Sequence, residues 1–347
     1  MLETASRGTT PAEKHSDASC KRLLLVYPVE TTFVRNDIEL LRRVTRVTTY
    51  HFRGPRSYAG LLARLFSTDI VYCWFALGFA AFAAVLSRIL GRRVIVVAGG
   101  WDVVAMPEIG YGRLVTMWGR FVARTTFFFA HEILAFSDWS AHQIRRLSRR
   151  ARIRRVYLSV DPAAFVPGPK ERVVVCIANV SRENIVRKGL RTFVQAASYL
   201  KEVQFFLVGR WLDDSAAELT SIAPPNVKVT GRLPDRDLQS LLARAKVYCQ
   251  PSYTEGFGVA IAEAMASGCV PVVTRVGAIP EVVGETGIFA DYGNPSGLAE
   301  AIELAFESDA GPAARMRAVR MFTPGGRLAQ LELALMGSDD SGSEGGH

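Results

Sequence analysis

The feature that most constrains this chain is an alternation of short apolar runs with helical patterns that occurs twice over. In the first half, residues 22–29 (RLLLVYPV), 44–52, 69–75 and 93–98 (RVIVVA) read as strands. A helical pattern opens at Asp37, and further helices read over 58–66 and 79–90. After the turn Gly99-Gly100-Trp101-Asp102 come a long loop, helical residues from Arg113, a strand over 132–136 and a basic helix from Asp138 onward. Asp161-Pro162, Pro167, Gly168 and Pro169 then break the periodicity. The same grammar restarts with strands over 172–178 (RVVVCIA), 203–208, 227–230, 247–250 and 271–274, separated by helices. Strands alternating with helices at this spacing call for parallel pairing through right-handed crossovers.

A chain of 347 residues exceeds the size at which one core stops growing, roughly 250 residues. The expectation is therefore an α/β protein with two doubly wound parallel-sheet domains facing each other across a cleft. Such sheets bind ligands beyond the carboxyl ends of their strands. The boundaries read as 20–165 and 170–312, then C-terminal helices over 313–336. The polar ends, 1–19 and 337–347, read as disordered.

Charge separates the two halves. Residues 20–168 hold 22 Lys/Arg against 9 Asp/Glu, whereas 169–320 hold 17 of each, so the first half carries the excess of positive charge. A single-sign field of this kind attracts anionic partners without dictating a fold. The five cysteines, Cys20, Cys73, Cys176, Cys249 and Cys269, are widely spaced and form no C-x-x-C, which argues against a disulfide framework or a zinc knuckle and implies a reducing, cytoplasmic setting. Residues 71–86 are uncharged, but a span wants about 20 residues and Gly78 divides the run, so it reads as a buried strand followed by a buried helix.

The densest signal is the segment from Pro251 to Gly268 (PSYTEGFGVAIAEAMASG). A strand ends at Pro251, a loop with Gly256 and Gly258 follows, and an Ala-rich helix runs on to Gly268. Glycines let backbone N–H groups approach a ligand closely, and a helix start offers partial positive charge to a phosphate. Glu255 precedes the helix and Glu263 lies about one and a half turns inside it, which lets both face the cleft and accept hydrogen bonds from sugar and ribose hydroxyls.

Glu255 and Glu263 with seven residues between them, the intervening Gly-Phe-Gly, and the continuation Ala264-Met265-Ala266-Ser267-Gly268 resemble the E-x7-E signature of family 4 retaining glycosyltransferases, which have the GT-B fold. The resemblance extends to Gly277-Ala278-Ile279-Pro280-Glu281-Val282-Val283 and Gly287, and upstream to Asn226-Val227 and Gly231-Arg232-Leu233-Pro234. It covers most of residues 172–306. It implies that Glu263 holds the donor ribose, that Glu255 holds the transferred sugar, and that Phe257, Gly258 and Val259 supply backbone donors. Leu233 would belong to the base-contacting loop. It further implies retention of anomeric configuration and a nucleotide-diphosphate sugar as donor substrate, with no cofactor beyond it.

A departing diphosphate needs cations where no metal serves. Arg182 and Lys188, six residues apart, match the paired Arg and Lys that the family uses, with Arg187 an ambiguous neighbour. No Asp-x-Asp is present and no two histidines stand at ligand spacing on a helix, so no metal is expected. Where many members have a His after the fourth strand, this chain has Asp102, which either takes its place or caps the following turn. His131, near a strand start, reads as a core residue. The first-strand loop, Pro28 to Phe33, lacks the family's Gly-Gly.

Residues 138–156 contain Arg145, Arg146, Arg149, Arg150, Arg152, Arg154 and Arg155 beside Ile144, Leu147 and Ile153. A basic helix with an apolar stripe suits an anionic bilayer. The expected acceptor is accordingly lipid-linked or part of a membrane-bound glycan, with the enzyme peripheral on the cytoplasmic face and no nucleic-acid partner. Trp118, Phe121 and Phe127-Phe128-Phe129 read as core or as an interfacial wedge, with core the preferred reading. Two other readings stand beside this one: a nucleotide-sugar epimerase of the same fold, and a non-catalytic basic adaptor. A dinucleotide-dependent dehydrogenase fails because no Gly-x-Gly-x-x-Gly follows the first strand of either half.

Overall fold

A computed structural model describes residues 21–337 of the chain. The apolar runs assemble into two six-stranded sheets, parallel at every pairing. The first sheet consists of β1 (Arg22–Tyr27), β2 (Arg46–His51), β3 (Ile70–Trp74), β4 (Arg93–Ala98), β5 (Glu132–Ala135) and β6 (Ile153–Arg155), in the order β2-β1-β3-β4-β5-β6. The second consists of β7 (Glu171–Ile177), β8 (Gln204–Val208), β9 (Val227–Gly231), β10 (Ala245–Gln250), β11 (Val270–Val273) and β12 (Ile288–Phe289), in the order β12-β11-β10-β7-β8-β9. The expected α/β architecture, two doubly wound sheets across a cleft, is the one observed. Strand order reverses between β1 and β3 and again between β7 and β10, and at such a reversal the connections leave in opposite directions and open a crevice.

Burial explains the sequence pattern. Every residue of β3 and all but the first of β1 are buried, so these strands read as unbroken apolar runs, whereas the edge strand β2 carries Arg46, Thr48 and His51. The uncharged run 71–86 becomes β3 and the start of the helix Gly78–Ile89. Among the described residues no helix is long and apolar enough to cross a membrane. Between strand and helix, Phe75 takes φ 73°, the left-handed region that a bulky side chain avoids, and it is the one non-glycine among the described residues to do so.

Three expectations need correction or extension. The basic segment is not one helix from Asp138 to Val156. It is the helix Asp138–Leu147, a turn with Arg149 and Arg150, and then β6, because Ile153 to Arg155 complete the sheet beside β5. Several of its arginines have partners: Arg154 donates to Glu132 at 2.5 Å and Arg155 to Asp138 at 2.6 Å. The aromatic group is not all core. Of the aromatics on the helix Met117–Phe129 only Phe127 is fully buried, while Trp118, Phe121 and Phe128 face outward.

The third concerns the end of the chain. The helices Ala310–Met321 and Pro324–Met336 follow the second domain, and the last of them returns to pack on the first, against the helix Thr32–Leu41. Arg327 there is buried with Asp37 at 2.5 Å, and Tyr72 Oη donates to the same carboxylate at 2.7 Å. Arg327 also donates to the carbonyls of Val156 and Tyr157. Full pairing of both groups offsets the desolvation that a buried ion pair incurs. The expected disorder at 1–19 and 338–347 falls outside the described residues, and Gly337 caps the last helix.

Candidate active site

The segment singled out in the sequence lies at the β7/β10 reversal. Gln250 ends β10, and the loop from Pro251 to Gly258 leads into the helix Val259–Ala266. Two close backbone approaches pin that loop. A side chain on Gly189, at φ +63°, would sit 2.0 Å from the Pro251 carbonyl oxygen, and one on Gly277, at φ +56°, would sit 2.2 Å from that of Glu255. Gly258 is left-handed (φ 93°) and no side chain caps the helix it starts, so the leading N–H groups have no intrahelical partner and are left for a ligand. The helix is otherwise anchored by its buried residues Ile261, Ala262, Ala264, Met265 and Ala266.

The loop and helix form one wall of a cleft of about 520 Å³. From the second domain it is lined by Arg187, Lys188, Glu255, Gly256, Phe257, Gly258, Val259 and Glu263, and from the first by Thr31, Thr32, Phe33, Phe75, Trp101 and Tyr111. Thr31, in the loop that lacks Gly-Gly, caps the helix Thr32–Leu41 by accepting from the Val34 N–H. That loop therefore borders the cleft without glycine.

Lys188 donates to Glu255 Oε2 in a short contact, and Gln250 Nε2 donates to the same oxygen at 3.0 Å. Tyr248 Oη in turn donates to Gln250 Oε1 at 2.7 Å, so the carboxylate sits at the end of a buried chain of donors. Burial works to raise the Glu255 pKa, but Lys188, Arg187 and the Gly256 N–H outweigh it and hold the carboxyl below its ordinary value. Burial lowers the Lys188 pKa, with Glu255 opposing the shift. Arg187 is fixed by Asn184 Oδ1 at 2.6 Å and lies 4.9 Å over the Tyr111 ring. Glu263 differs from Glu255: its carboxylate has no hydrogen-bond donor among the described residues, and burial, reinforced by Asp235, pushes it up to about 7. The two carboxylates thus have separate electrostatic characters on one wall.

The structure brings together Glu255, Glu263, Gly256, Phe257, Gly258, Val259, Lys188 and Arg187. Phe257 turns its ring into the core against Tyr157 and Phe322, which leaves its backbone toward the cleft. Arg182 is elsewhere. It starts the helix Arg182–Arg187, with its side chain 84% exposed and 3.8 Å from Asp214. Leu233 is half-buried and packs against the core outside the cleft lining. Asp102 is fully buried and accepts from the N–H groups of Ala76, Gly99 and Gly100, so it caps the turn and does not reach the cleft. His131 accepts from the Val94 N–H at 3.0 Å, and burial lowers its pKa to about 4.

The sequence reading missed what joins the domains here. A side chain on Gly256 would meet the Gly99 carbonyl oxygen at 2.3 Å, so the glycine turns of the two domains touch. Ser137 Oγ donates to the Gly256 carbonyl at 3.1 Å and Ser140 Oγ to the Gly99 carbonyl at 2.7 Å. Glu281 reaches across to cap the helix Asp138–Leu147, accepting from the Asp138 N–H at 2.8 Å and from Tyr157 Oη at 2.8 Å. Each of these residues reads locally as an ordinary cap or turn. No sequence signal pairs the residues that meet between the domains, because those partners are more than a hundred positions apart.

Two parallel sheets, a ligand crevice at a strand-order reversal and an uncapped helix behind a glycine loop define the GT-B class of architecture. Residues 171–308 match the family model "Glycosyl transferases group 1". The chain is 35% identical over 101 residues to O-antigen chain mannosyltransferase B of Escherichia coli, a stretch covering 28% of this chain and 26% of that one. It is 27% identical over 204 residues to the N,N'-diacetylbacillosaminyl-diphospho-undecaprenol alpha-1,3-N-acetylgalactosaminyltransferase of Campylobacter jejuni, 54% of each chain. The matched stretches therefore span from about a fifth to about half the length of the curated relatives. Among solved structures, Anabaena HepE in complex with UDP and glucose superposes with a TM-score of 0.75 at 19% identity, covering 91% of this chain and 99% of that one, a likeness of fold.

Proposed function

We propose that this chain is a glycosyltransferase that moves a sugar from a nucleotide-diphosphate donor to an acceptor, with retention and without a metal. The observation that carries the reading is the grouping of Glu255, Lys188 and Arg187 with Glu263 around the uncapped helix start at Gly258. In this reading Glu263 accepts from the ribose hydroxyls and Glu255 from those of the transferred sugar. The bond between the anomeric carbon and the diphosphate oxygen breaks, and the charge gathers on phosphate beside Lys188, Arg187 and the leading amides at Val259. The acceptor hydroxyl bonds to the same face of the sugar and passes its proton to the departing phosphate oxygen. Arg182 would join the cations only after leaving Asp214.

That HepE binds UDP and glucose supports a nucleotide-sugar donor, and the diphospho-undecaprenol named for the Campylobacter relative supports a lipid-linked acceptor or glycan precursor. The positive excess of the first half supports placing the enzyme at the cytoplasmic face of a membrane.

The test is incubation of the full chain with individual nucleotide sugars, with and without polyprenyl-diphosphate-linked acceptors. Release of nucleoside diphosphate that rises with acceptor is the expected result, and Lys188→Met should lower the turnover roughly 100- to 1,000-fold. Donor recovered with an inverted centre would instead indicate an epimerase. A chain that binds no nucleotide sugar would overturn the reading.

A further inference from the structure

We propose that the outward face of the helix Met117–Phe129 is a docking surface for an anionic lipid bilayer. This deepens the membrane reading above, because it moves the contact from residues 145–155 to a different element, and it stands without the donor chemistry. Met117, Trp118, Phe121 and Phe128 are 77%, 64%, 60% and 55% exposed. Positions 117, 121 and 128 recur at helical spacing, while the opposite face, with Val122, Ala123, Thr126 and Phe127, is buried. The Trp118 and Phe121 rings stack with centroids 5.6 Å apart, forming one apolar ridge. Ile89, 75% exposed, ends the neighbouring helix Gly78–Ile89, which packs on this one.

Single exposed apolar residues are ordinary on a soluble surface, but here four large ones are gathered on the outward side of one helix of 13 residues. A tryptophan and phenylalanines flanked by arginines suit the boundary between headgroups and acyl chains, where one end of the surface is apolar and the other wet. Arg120 and Arg124 are exposed on the same helix, Arg124 between Phe121 and Phe128 at helical spacing, and no Asp or Glu occurs from 109 to 131. The charge therefore complements acidic lipid. It does not complement a second copy, since a self-complementary contact through this patch would set Arg120 and Arg124 against their own counterparts. The chain's own ends do not fit the ridge: outside residues 21–337 the large apolar residues are only Met1 and Leu2.

The measurement is co-sedimentation of the full chain with vesicles of phosphatidylcholine alone and of equal parts phosphatidylcholine and phosphatidylglycerol. Binding to the mixed vesicles that weakens with salt, with a blue shift of tryptophan emission, is expected. The triple variant W118S/F121S/F128S should weaken it at least about tenfold. Arg120→Ser with Arg124→Ser should weaken it about tenfold and flatten the salt dependence. Arg149→Ser with Arg150→Ser should stay within about twofold of the parent, since those residues lie off the ridge. Unfolding temperatures and nucleotide-sugar binding of each variant, equal to the parent, separate lost docking from lost folding. Docking without any nucleotide-sugar binding would leave this surface standing and remove the transferase reading. Vesicle binding that the triple variant leaves unchanged would overturn the proposal. So would a dimer, in a chain that binds no vesicles, that the triple variant dissociates.

Discussion

The two halves of the molecule share one architecture and distribute their chemistry differently. In the second half, cation, carboxylates and helix start converge from segments close to one strand-order reversal, and most of them lie within Arg187-Lys188 and 255–263. Charge is balanced there, with 17 Lys/Arg against 17 Asp/Glu over residues 169–320. In the first half the interior is as apolar, but the excess arginines and the exposed aromatics lie on the outer surface. One half is organised around a pocket and the other around a surface. A pocket demands fixed residues at fixed spacing, whereas a surface demands only a sign of charge and a patch of area.

The sharpest break in the comparison is where the halves are tied together. Arg327 belongs to the last helix in sequence, yet its charge is neutralised by Asp37 in the first domain. Arg327→Met would leave Asp37 buried without its counter-charge, with only Tyr72 Oη among the described residues donating to it, and should cost about 3–5 kcal/mol of stability. Urea unfolding would read the loss, and a second change, Asp37→Leu, should restore much of it by removing the stranded charge. If the single variant unfolds like the parent, the last helix does not hold the first domain together.

A smaller effect is expected at Glu281, which joins the halves at the cleft. Glu281→Ala removes the acceptor for the Asp138 N–H and Tyr157 Oη, and should weaken the domain contact by about 1–3 kcal/mol. Small-angle scattering should show a larger radius of gyration with each sheet's circular dichroism intact. An unchanged radius would mean that the glycine contact between Gly99 and Gly256 suffices alone.

The finest test concerns the two carboxylates. Burial and Asp235 raise Glu263 from 4.5 to about 7, so in that window the folded chain binds a proton that the unfolded chain has released. Stability from this group is therefore present at low pH and declines as pH rises from about 4.5 to about 7. Glu263→Gln should remove that slope. If the ionised carboxylate accepts ribose hydroxyls, donor binding near neutral pH should release protons, detectable by calorimetry in buffers of different ionisation enthalpy. Glu255 is already held ionised by Lys188 and Arg187, once burial has been offset, and should show no such release.

Legibility in the sequence follows the same division. Both sheets could be read from strands buried on both faces, because a period-free apolar run between glycines and prolines has few other places to go. Glu255 and Glu263 could be read because one short loop and the helix that follows it carry both, within nine residues of sequence. Arg182 pairs with Lys188 through the family resemblance, and the structure puts it in solvent because the helix Arg182–Arg187 turns the two residues apart. Asp102 was open between two roles, and three backbone donors assign it to the turn. For Trp118, Phe121 and Phe128 core is the preferred reading over a wedge because aromatics are usually buried, but that helix packs only one face on its neighbours, chiefly the helix Gly78–Ile89.

By itself, then, the sequence determined the alternation of strands and helices, the parallel sheets and the position of the acidic loop, since each depends on residues near one another in the chain. Only the tertiary structure decided that Glu281 caps a helix of the other domain, that Arg327 neutralises Asp37, and that Gly256 lies against Gly99. Those contacts join residues separated by more than a hundred positions, and local periodicity carries no information about which distant groups folding will place within hydrogen-bonding range.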